Sequence, residues 1–205
     1  MKTREPSVAG LFYPKEETTL KKTLQTYLEP LTHNYKEKNI KALIVPHAGY
    51  DYSGQIAAYA FKTISYENYD TIFILGPSHY HYFNGISIYE GDYYRTPLGL
   101  LRIDKTIVKT VLEKDETFCF EEKAHFKEHA IEVELPFLQY IYPTPPQIVP
   151  IIIGNSEINK IKKLSEIIFE ISTQKKCLVI ASSDFSHFFS YEKAIEMDRK
   201  AGKLI

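Results

Sequence analysis

Cysteine, tryptophan and methionine are scarce in this sequence of 205 residues, which contains two Cys, no Trp and two Met. Two cysteines, Cys119 and Cys177, cannot build a disulfide framework, and Cys177 begins the apolar run CLVIAS, where a buried thiol is expected. The class of small secreted domains held together by disulfides is therefore excluded. A reducing compartment fits this composition, and we predict a cytoplasmic protein.

Long apolar runs and an excess of one charge are also missing. No run approaches the roughly 18 apolar residues of a membrane span, and the opening segment MKTREPSVAGLFYP lacks the apolar core of a signal peptide. The 25 basic and 26 acidic residues are spread along the chain and give a net charge of -1. The sequence thus predicts no membrane partner and no nucleic-acid partner.

Several catalytic motifs are absent too, namely a glycine-rich phosphate-binding loop, a G-x-S-x-G nucleophile elbow and a C-x-x-C pair. The composition that is present, 44% hydrophobic and 25% charged, predicts a single domain over residues 1–205 with a full core. The final stretch SYEKAIEMDRKAGKLI predicts a helix that runs to within a few residues of the end of the sequence. We therefore expect a C-terminal segment to be missing from this sequence.

Four short apolar runs, each ending in turn residues, dominate the pattern along the chain. Apolar residues at consecutive positions are typical of strands that are covered on both faces of a mainly parallel sheet. Helical patterns lie between the runs, one after a candidate Ser53 cap and one from a candidate Ser156 cap, while residues 84–103 predict short strands or a hairpin. This alternation predicts an α/β domain with a mixed, mainly parallel sheet. The runs are KALIVPHAGY (41–50), TIFILGPSHY (71–80), QIVPIIIGNS (147–156) and CLVIASSDFSH (177–187), and the helical faces carry Ile56, Ala57, Ala60, Phe61 and Ile64, then Ile158, Ile161, Leu164, Ile168 and Ile171.

Three of the four runs place a histidine just past their C-terminal end: His47 in VPHAGY, His79 in GPSH and His187 in SSDFSH. Open α/β sheets bind ligands outside the carboxyl ends of their strands, so these side chains are expected to converge on one crevice. Asp184 lies three residues before His187. Imidazoles with a carboxylate suit Fe(II), Zn or Cu, and two His with one carboxylate is the ligand set of non-haem iron oxygenases.

A second metal pattern, HFKEH at 125–129, has the form H-x-x-E-H of the inverted zincins. In that motif His125 and His129 would hold zinc from one helix and Glu128 would act as general base. The apolar spacing that follows predicts a helix whose first turn carries the motif, although Pro136 interrupts that pattern. An exposed, charged helix start is the structural alternative.

Three further residues have weaker signals. His81 follows His79 at an alternate position, but after GPS the chain turns, and YHYF favours an aromatic wall. Arg95 belongs to the rigid turn YRTPLG and could hold an anionic group. Together with Tyr50 of VPHAGY, these residues are expected on the wall or rim of the pocket.

Six ordered motifs resemble the Memo-like family, whose bacterial and archaeal members include the AmmeMemoRadiSam system protein B. The resemblance covers essentially the whole chain. The motifs are REPSVAGLFYP, VPHAGYDYSGQIAAYAF, ILGPSHY, YRTPLG, EHAIEVELPFLQ and SSDFSH. The family is similar in fold to the class III extradiol, LigB-type, non-haem iron dioxygenases, which implies an α/β/α sandwich around a mixed sheet.

The resemblance implies a metal-capable crevice in which His47 and His79 are ligands, and in which His129, Asp184 and His187 are further polar positions. The sequence departs from the family in two places. Ala130 stands where the family usually has Ser in EHSIE, and the chain stops before the segment that carries a cysteine ligand in eukaryotic members. The third metal ligand is thus left open, and it could lie beyond residue 205.

Three hypotheses of function follow. The first is a dioxygenase-like enzyme in which His47 and His79 hold Fe(II), or else Cu or Zn, near a small aromatic substrate, with His129 and a His187 oriented by Asp184 as acid–base groups. The second is a non-enzymatic protein that binds a peptide or a partner in the same crevice, because eukaryotic relatives bind phosphotyrosine peptides and the prokaryotic name implies Ammecr-type and radical-SAM partners. A zinc peptidase through HFKEH is the remote third.

Overall fold

A computed structural model describes residues 1–32 and 39–205, and its centre is a sheet of six strands. Along the sheet the order is β2, β9, β3, β8, β4, β7, and every neighbouring pair is parallel except β8 with β4. The expected mixed, mainly parallel sheet is therefore confirmed. Its strands are β2 (Ala42–Val45), β3 (Thr71–Pro77), β4 (Ile86–Ile88), β7 (Phe118–Cys119), β8 (Gln147–Ile153) and β9 (Cys177–Ser182).

The central strands are buried on both faces, which is why their sequences are apolar at consecutive positions. Alternate side chains of β3 and β9 point to opposite faces, so Leu75 and Val179 lie on one face and Gly76 and Ser182 on the other. Cys177 at the start of β9 is buried, as expected for a thiol in this position.

A second sheet of three strands accounts for much of the region 84–103. It consists of β1 (Thr3–Arg4), β5 (Tyr93–Thr96) and β6 (Gly99–Arg102). The β5–β6 pair is the expected hairpin, and Gly99 after the turn has φ +118°, a conformation that favours glycine. The other strand of this region, β4, joins the large sheet.

Helices cover the large sheet in two groups. On the face that includes Leu75 and Val179, residues of α6 line a cavity together with them, and α6 also contacts α3. Helices α1, α2 and α5 contact one another as a second group. The protein is thus a single α/β domain with helices flanking its sheet. The helices are α1 (Glu17–Leu28), α2 (Gln55–Ile64), α3 (Lys105–Lys114), α4 (Glu122–Phe126), α5 (Leu135–Ile141), α6 (Ile158–Ser172) and α7 (Tyr191–Gly202).

The predicted helix starts are wrong in detail. A π-helical turn, Tyr50–Gly54, precedes α2, and the Ser53 hydroxyl inside it donates to the Ala48 carbonyl oxygen instead of capping the helix. The Ser156 hydroxyl likewise donates to Gly85, and Glu157 takes the cap position of α6. Both helices therefore begin later than expected, and the first isoleucine of each predicted apolar face, Ile56 and Ile158, is exposed.

No helix within residues 1–32 and 39–205 is long and apolar enough to cross a membrane.

Candidate functional site

A crevice lies at the carboxyl ends of β2, β9 and β3, which are adjacent and parallel. His47 stands two residues beyond β2, His79 two beyond β3 and Asp184 two beyond β9, so equivalent positions of three strands converge. All three residues line a cavity of about 550 Å³, together with Phe185 and His187. The side chains that follow the strand ends thus converge on one crevice, as expected for an open α/β sheet.

His129 reaches the His47 and His79 rings from the segment between α4 and α5, not from a strand end. The segment is anchored next to it, because the Ser182 hydroxyl donates to the Ala130 carbonyl oxygen at 2.7 Å. The Ala130 methyl group also packs against Gly76 of β3, where an added Cβ would lie only 2.9 Å away. This close approach of the segment to the sheet holds His129 over the end of β3.

His47, His79 and His129 form a compact cluster. One ring nitrogen from each lies within 4.8 Å of the others, a spacing that could hold one metal ion. The His79 and His129 rings stack with centroids 4.6 Å apart, and the His47 ring stands edge-on to both at 5.2 and 5.6 Å. Imidazole nitrogens are suitable ligands for Fe, Cu or Zn.

Glu128 fixes the orientation of His79. Its buried carboxylate accepts from the His79 ring Nδ1 at 2.8 Å and from the backbone N–H groups of His79, His129 and Ala130 at 2.6 to 2.9 Å. The hydrogen bond to Glu128 raises the pKa of His79 above its ordinary value. Burial raises the pKa of Glu128, but these hydrogen bonds outweigh it and the net shift is downward. The carboxylate therefore directs the Nδ1 proton of His79 towards itself.

His47 is held by a hydroxyl instead of a carboxylate. Its Nδ1 lies 2.8 Å from the Ser182 hydroxyl oxygen, and the residue is only 4% exposed. Burial lowers the pKa of His47 even though Asp184 opposes the shift. The ring is accordingly neutral at pH 7, the state in which imidazole binds metals.

His129 has a buried ring nitrogen that lacks a hydrogen-bond partner among the described residues. This atom is Nδ1, which lies 3.5 Å from the Glu128 carboxylate, and the residue is 7% exposed. Burial lowers the pKa of His129 to about 4, with Glu128 opposing. Its ring packs against Phe12 of the N-terminal segment at 4.6 Å. A buried polar atom without a partner is costly, so this nitrogen is available to a ligand.

Asp184 holds the His47 loop instead of orienting His187. One carboxylate oxygen accepts from the backbone N–H groups of His47 and Ala48 at 2.6 and 3.0 Å, and the other lies 3.9 Å from His47 Nε2. His187 is exposed, and its Nδ1 faces the Phe185 carbonyl oxygen at 3.3 Å. The predicted hydrogen bond between Asp184 and His187 is therefore replaced by contacts to the backbone, although both residues line the crevice.

The N-terminal motif braces the segment that carries His129. The Arg4 guanidinium is buried against the Glu132 carboxylate and also donates to the carbonyl oxygens of His125 and Glu128. Glu132 further accepts from the Val8 N–H at 3.1 Å and from the Tyr13 hydroxyl at 2.5 Å. The segment that follows Glu128 is thus tied to residues more than 100 positions away.

His125 lies outside the cluster, which corrects the inverted zincin interpretation. Helix α4 ends at Phe126, so His125 and His129 do not share a helix as the motif requires. The buried His125 ring contacts the Tyr94 hydroxyl at 2.9 Å and the Ser87 hydroxyl at 3.0 Å, and burial lowers its pKa to about 3. His125 is therefore a structural residue, because both of its ring nitrogens are already in hydrogen bonds with buried side chains. Pro136 lies in the first turn of α5, where proline is tolerated.

The three residues expected on the pocket wall lie elsewhere. Tyr50 is buried in the core and donates to the Val133 carbonyl oxygen at 2.8 Å. Arg95 is at the surface and pairs with Glu5 at 3.0 Å. His81 is 3.5 Å from Glu121 and lines a neighbouring cavity beside α4, not the crevice. Of the residues named from sequence, the structure brings together His47, His79, His129, Asp184 and His187.

Sequence reasoning missed Ser182, and it gave Glu128 the wrong role. Ser182 is the first serine of SSDFSH, but a serine at a strand end has many structural explanations. Glu128 was assigned as a general base of a zinc peptidase, whereas it holds His79 and the segment around it. The available signal was proximity in the sequence, since Glu128 adjoins His129 and Ser182 lies two residues before Asp184.

A histidine cluster at the carboxyl edge of parallel strands stands where α/β proteins of the open-sheet class usually bind their ligands. Comparison with known proteins gives the family: a model described as Memo-like protein matches residues 4–205, and the chain belongs to this Memo-like family. A MEMO1 family protein of Sulfurisphaera tokodaii is 39% identical over 97% of this chain and 74% of its own length. Those of Desulfurococcus amylolyticus and Aquifex aeolicus are each 37% identical over 98% and 97% of this chain and 75% and 72% of theirs.

Proposed function

We propose that the crevice binds one metal ion through His47, His79 and His129, and that the protein is a metal-dependent oxidoreductase of the dioxygenase-like type. The observation that carries the proposal is the mutual approach of three ring nitrogens within 4.8 Å. The third ligand, which the sequence left open, is in this proposal His129.

The hydrogen bonds made by His47 and His79 are those expected of metal-binding histidines. Metal-binding histidines usually donate their second ring N–H to a carboxylate or another acceptor, which fixes the tautomer. His79 has such an acceptor in Glu128, and His47 has one in Ser182. The buried Nδ1 of His129 has no hydrogen-bond partner among the described residues, so it is available as a metal ligand.

Fe(II) is the metal we propose first, with Cu or Zn as alternatives, because neutral imidazoles suit all three. When bound, such a metal would supply redox chemistry with O₂, or Lewis acidity in the case of Zn. The adjoining cavity of about 550 Å³ has room for a small aromatic or redox-active substrate beside Phe185. His187 and Asp184 line the same cavity, and in this proposal His187 is the group that exchanges a proton with a substrate.

Metal content tests the site. Purified protein, reconstituted anaerobically with Fe(II) and separately with Cu and Zn, should take up one equivalent, as measured by elemental analysis and calorimetric titration. His47→Ala, His79→Ala and His129→Ala should each abolish or strongly weaken uptake. His125→Gln is the matched control, because His125 is buried in the same segment but outside the cluster, and it should bind the metal normally. Unchanged uptake in all three alanine variants would refute the assignment.

Oxygen consumption tests the reaction type. Iron-loaded protein should consume O₂ in the presence of catechol-type aromatic compounds, and His187→Gln should slow turnover without reducing the metal content. This separates the two parts of the proposal, since a protein that binds iron but never consumes O₂ keeps the metal site and loses the oxidoreductase activity.

A second candidate function is binding of a peptide or partner protein in the same crevice. It is favoured by exposed aromatic side chains next to the post-β9 residues, where Phe185, Phe188 and Phe189 are 43%, 101% and 55% exposed. Aromatic anchors of this kind are enriched at binding interfaces. Ammecr-type and radical-SAM proteins and phosphotyrosine-containing peptides are the partners to test by pull-down and fluorescence polarisation, with Phe188→Ser as the variant expected to weaken binding.

A further inference from the structure

Three polar groups converge on the hydroxyl oxygen of Ser182. His47 Nδ1 lies at 2.8 Å, the Ala130 carbonyl oxygen at 2.7 Å and the Glu134 carboxyl Oε1 at 2.9 Å. A serine hydroxyl has one hydrogen to donate and two lone pairs to accept with. The direction of its three hydrogen bonds can therefore be derived by counting hydrogens and lone pairs.

The Ala130 carbonyl oxygen can only accept, so it needs the serine hydrogen unless Glu134 takes it. Whether the Ser182 hydrogen is donated to Ala130 or to Glu134, it is not donated to His47. Only a lone pair of the Ser182 oxygen is then left for His47 Nδ1. A ring nitrogen that meets a lone pair must carry its own proton. His47 Nδ1 is thus the donor of this hydrogen bond.

We infer that Ser182 is a positioning residue that holds His47 as the Nδ1–H tautomer and so reserves its Nε2 lone pair for a ligand in the crevice. The inference rests on the proposed metal site for its functional meaning, but the tautomer itself is a property of the metal-free protein. The same hydroxyl joins the two sides of the site, because it connects His47 to the segment that carries His129.

Glu134 completes the arrangement. The residue is 0% exposed, and its second oxygen, Oε2, lacks a partner among the described residues. Burial raises the pKa of Glu134 well above its ordinary value, and Ser182 opposes this shift. A neutral Glu134 can donate to Ser182, which leaves the serine hydrogen for Ala130 and uses both serine lone pairs, one for Glu134 and one for His47.

Nitrogen-15 NMR of the metal-free protein tests the tautomer directly. Long-range proton–nitrogen correlation spectra of the imidazole rings distinguish Nδ1–H from Nε2–H tautomers, and the His47 signals are assigned by their loss in His47→Ala. We expect the Nδ1–H pattern for His47 at pH 7. An Nε2–H pattern or a doubly protonated ring would overturn the inference, whether or not the protein binds metal.

Variants test the positioning role. Ser182→Ala removes the acceptor, so the His47 ring should populate the Nε2–H tautomer and the Kd for the metal should rise about 10- to 100-fold, the usual effect of losing such a partner. Ser182→Thr keeps the hydroxyl and should restore both readouts. Ser87→Ala is the matched control, because Ser87 forms a similar buried contact to His125 at 3.0 Å and lies outside the crevice.

The outcomes separate this inference from the proposed function. A wild-type protein with the Nδ1–H pattern that takes up no metal would refute the metal site and leave the tautomer assignment standing. A Ser182→Ala protein that retains the Nδ1–H pattern and wild-type affinity would refute the role of Ser182 and leave the metal site standing. If Ser182→Ala does not fold, the wild-type spectrum and Ser182→Thr still decide the question.

Discussion

Acidification should destabilise the protein through His125, and His125→Gln should remove part of that effect. The ring is buried between the hydroxyls of Tyr94 and Ser87. Burial, assisted by the nearby positive charge of Arg4, lowers the pKa of His125 from 6.5 to about 3. In the unfolded chain the ring has its ordinary pKa, so below pH 6.5 the unfolded state binds a proton that the folded state refuses.

The difference in pKa between the folded and unfolded states gives both the sign and the size of the change in the free energy of unfolding with pH. The stability contribution is complete above pH 6.5 and is lost as the pH falls towards the folded pKa of about 3. One pKa unit corresponds to about 1.4 kcal/mol, so lowering the pH from 7 to 4 should cost about 3 kcal/mol through this residue alone. That is a large part of the typical stability of about 5–15 kcal/mol of a domain.

Urea denaturation followed by circular dichroism at pH 7 and pH 4 measures the effect as a difference in the free energy of unfolding. His125→Gln, which keeps a similar size and polar atoms, should lose about 3 kcal/mol less than the wild type on acidification. Tyr94→Phe is the control, because it removes one hydrogen bond but leaves His125 buried, and its pH dependence should match the wild type. Equal pH dependence in wild type and His125→Gln would refute the assignment.

Two further predictions concern groups that brace the cluster. Arg4→Met leaves the Glu132 carboxylate buried without its cation, so it should lower the free energy of unfolding by about 3–5 kcal/mol in the same denaturation assay; a loss below 1 kcal/mol would contradict the buried pair. Glu128→Gln replaces the charged hydrogen-bond acceptor that raises the pKa of His79 with a neutral one, so that pKa should fall in an NMR titration, and an unchanged value would contradict the proposed contact.

The parallel core of the fold could be predicted because its cause is local. Strands covered on both faces need apolar residues at consecutive positions, and the runs that became β3, β8 and β9 contain them. Helix starts were less predictable, because Ser53 and Ser156 are used by neighbouring backbone groups in place of helix caps. Candidate caps have several acceptors within reach, and sequence does not rank those acceptors.

The site was predictable where it follows strand ends and unpredictable where it depends on distant contacts. His47 and His79 each stand two residues past a strand, but β9 ends at Ser182, so its equivalent position belongs to Asp184 and not to His187. The place of His129 depends on ties such as that between Arg4 and Glu132, 128 positions apart in sequence. No local periodicity encodes such a contact.

The three clustered histidines also differ in how their protons are held, and this difference bears on how the crevice would accept a metal. Burial lowers the pKa of His47 and of His129, so both rings are already neutral at pH 7. His79 is the exception, because Glu128 raises its pKa, and its ring is 34% exposed. A metal binds the neutral form of imidazole, which burial favours for His47 and His129 and which Glu128 disfavours for His79. Burial thus favours the neutral form of two of the three rings, and the third is governed by the carboxylate that also positions it.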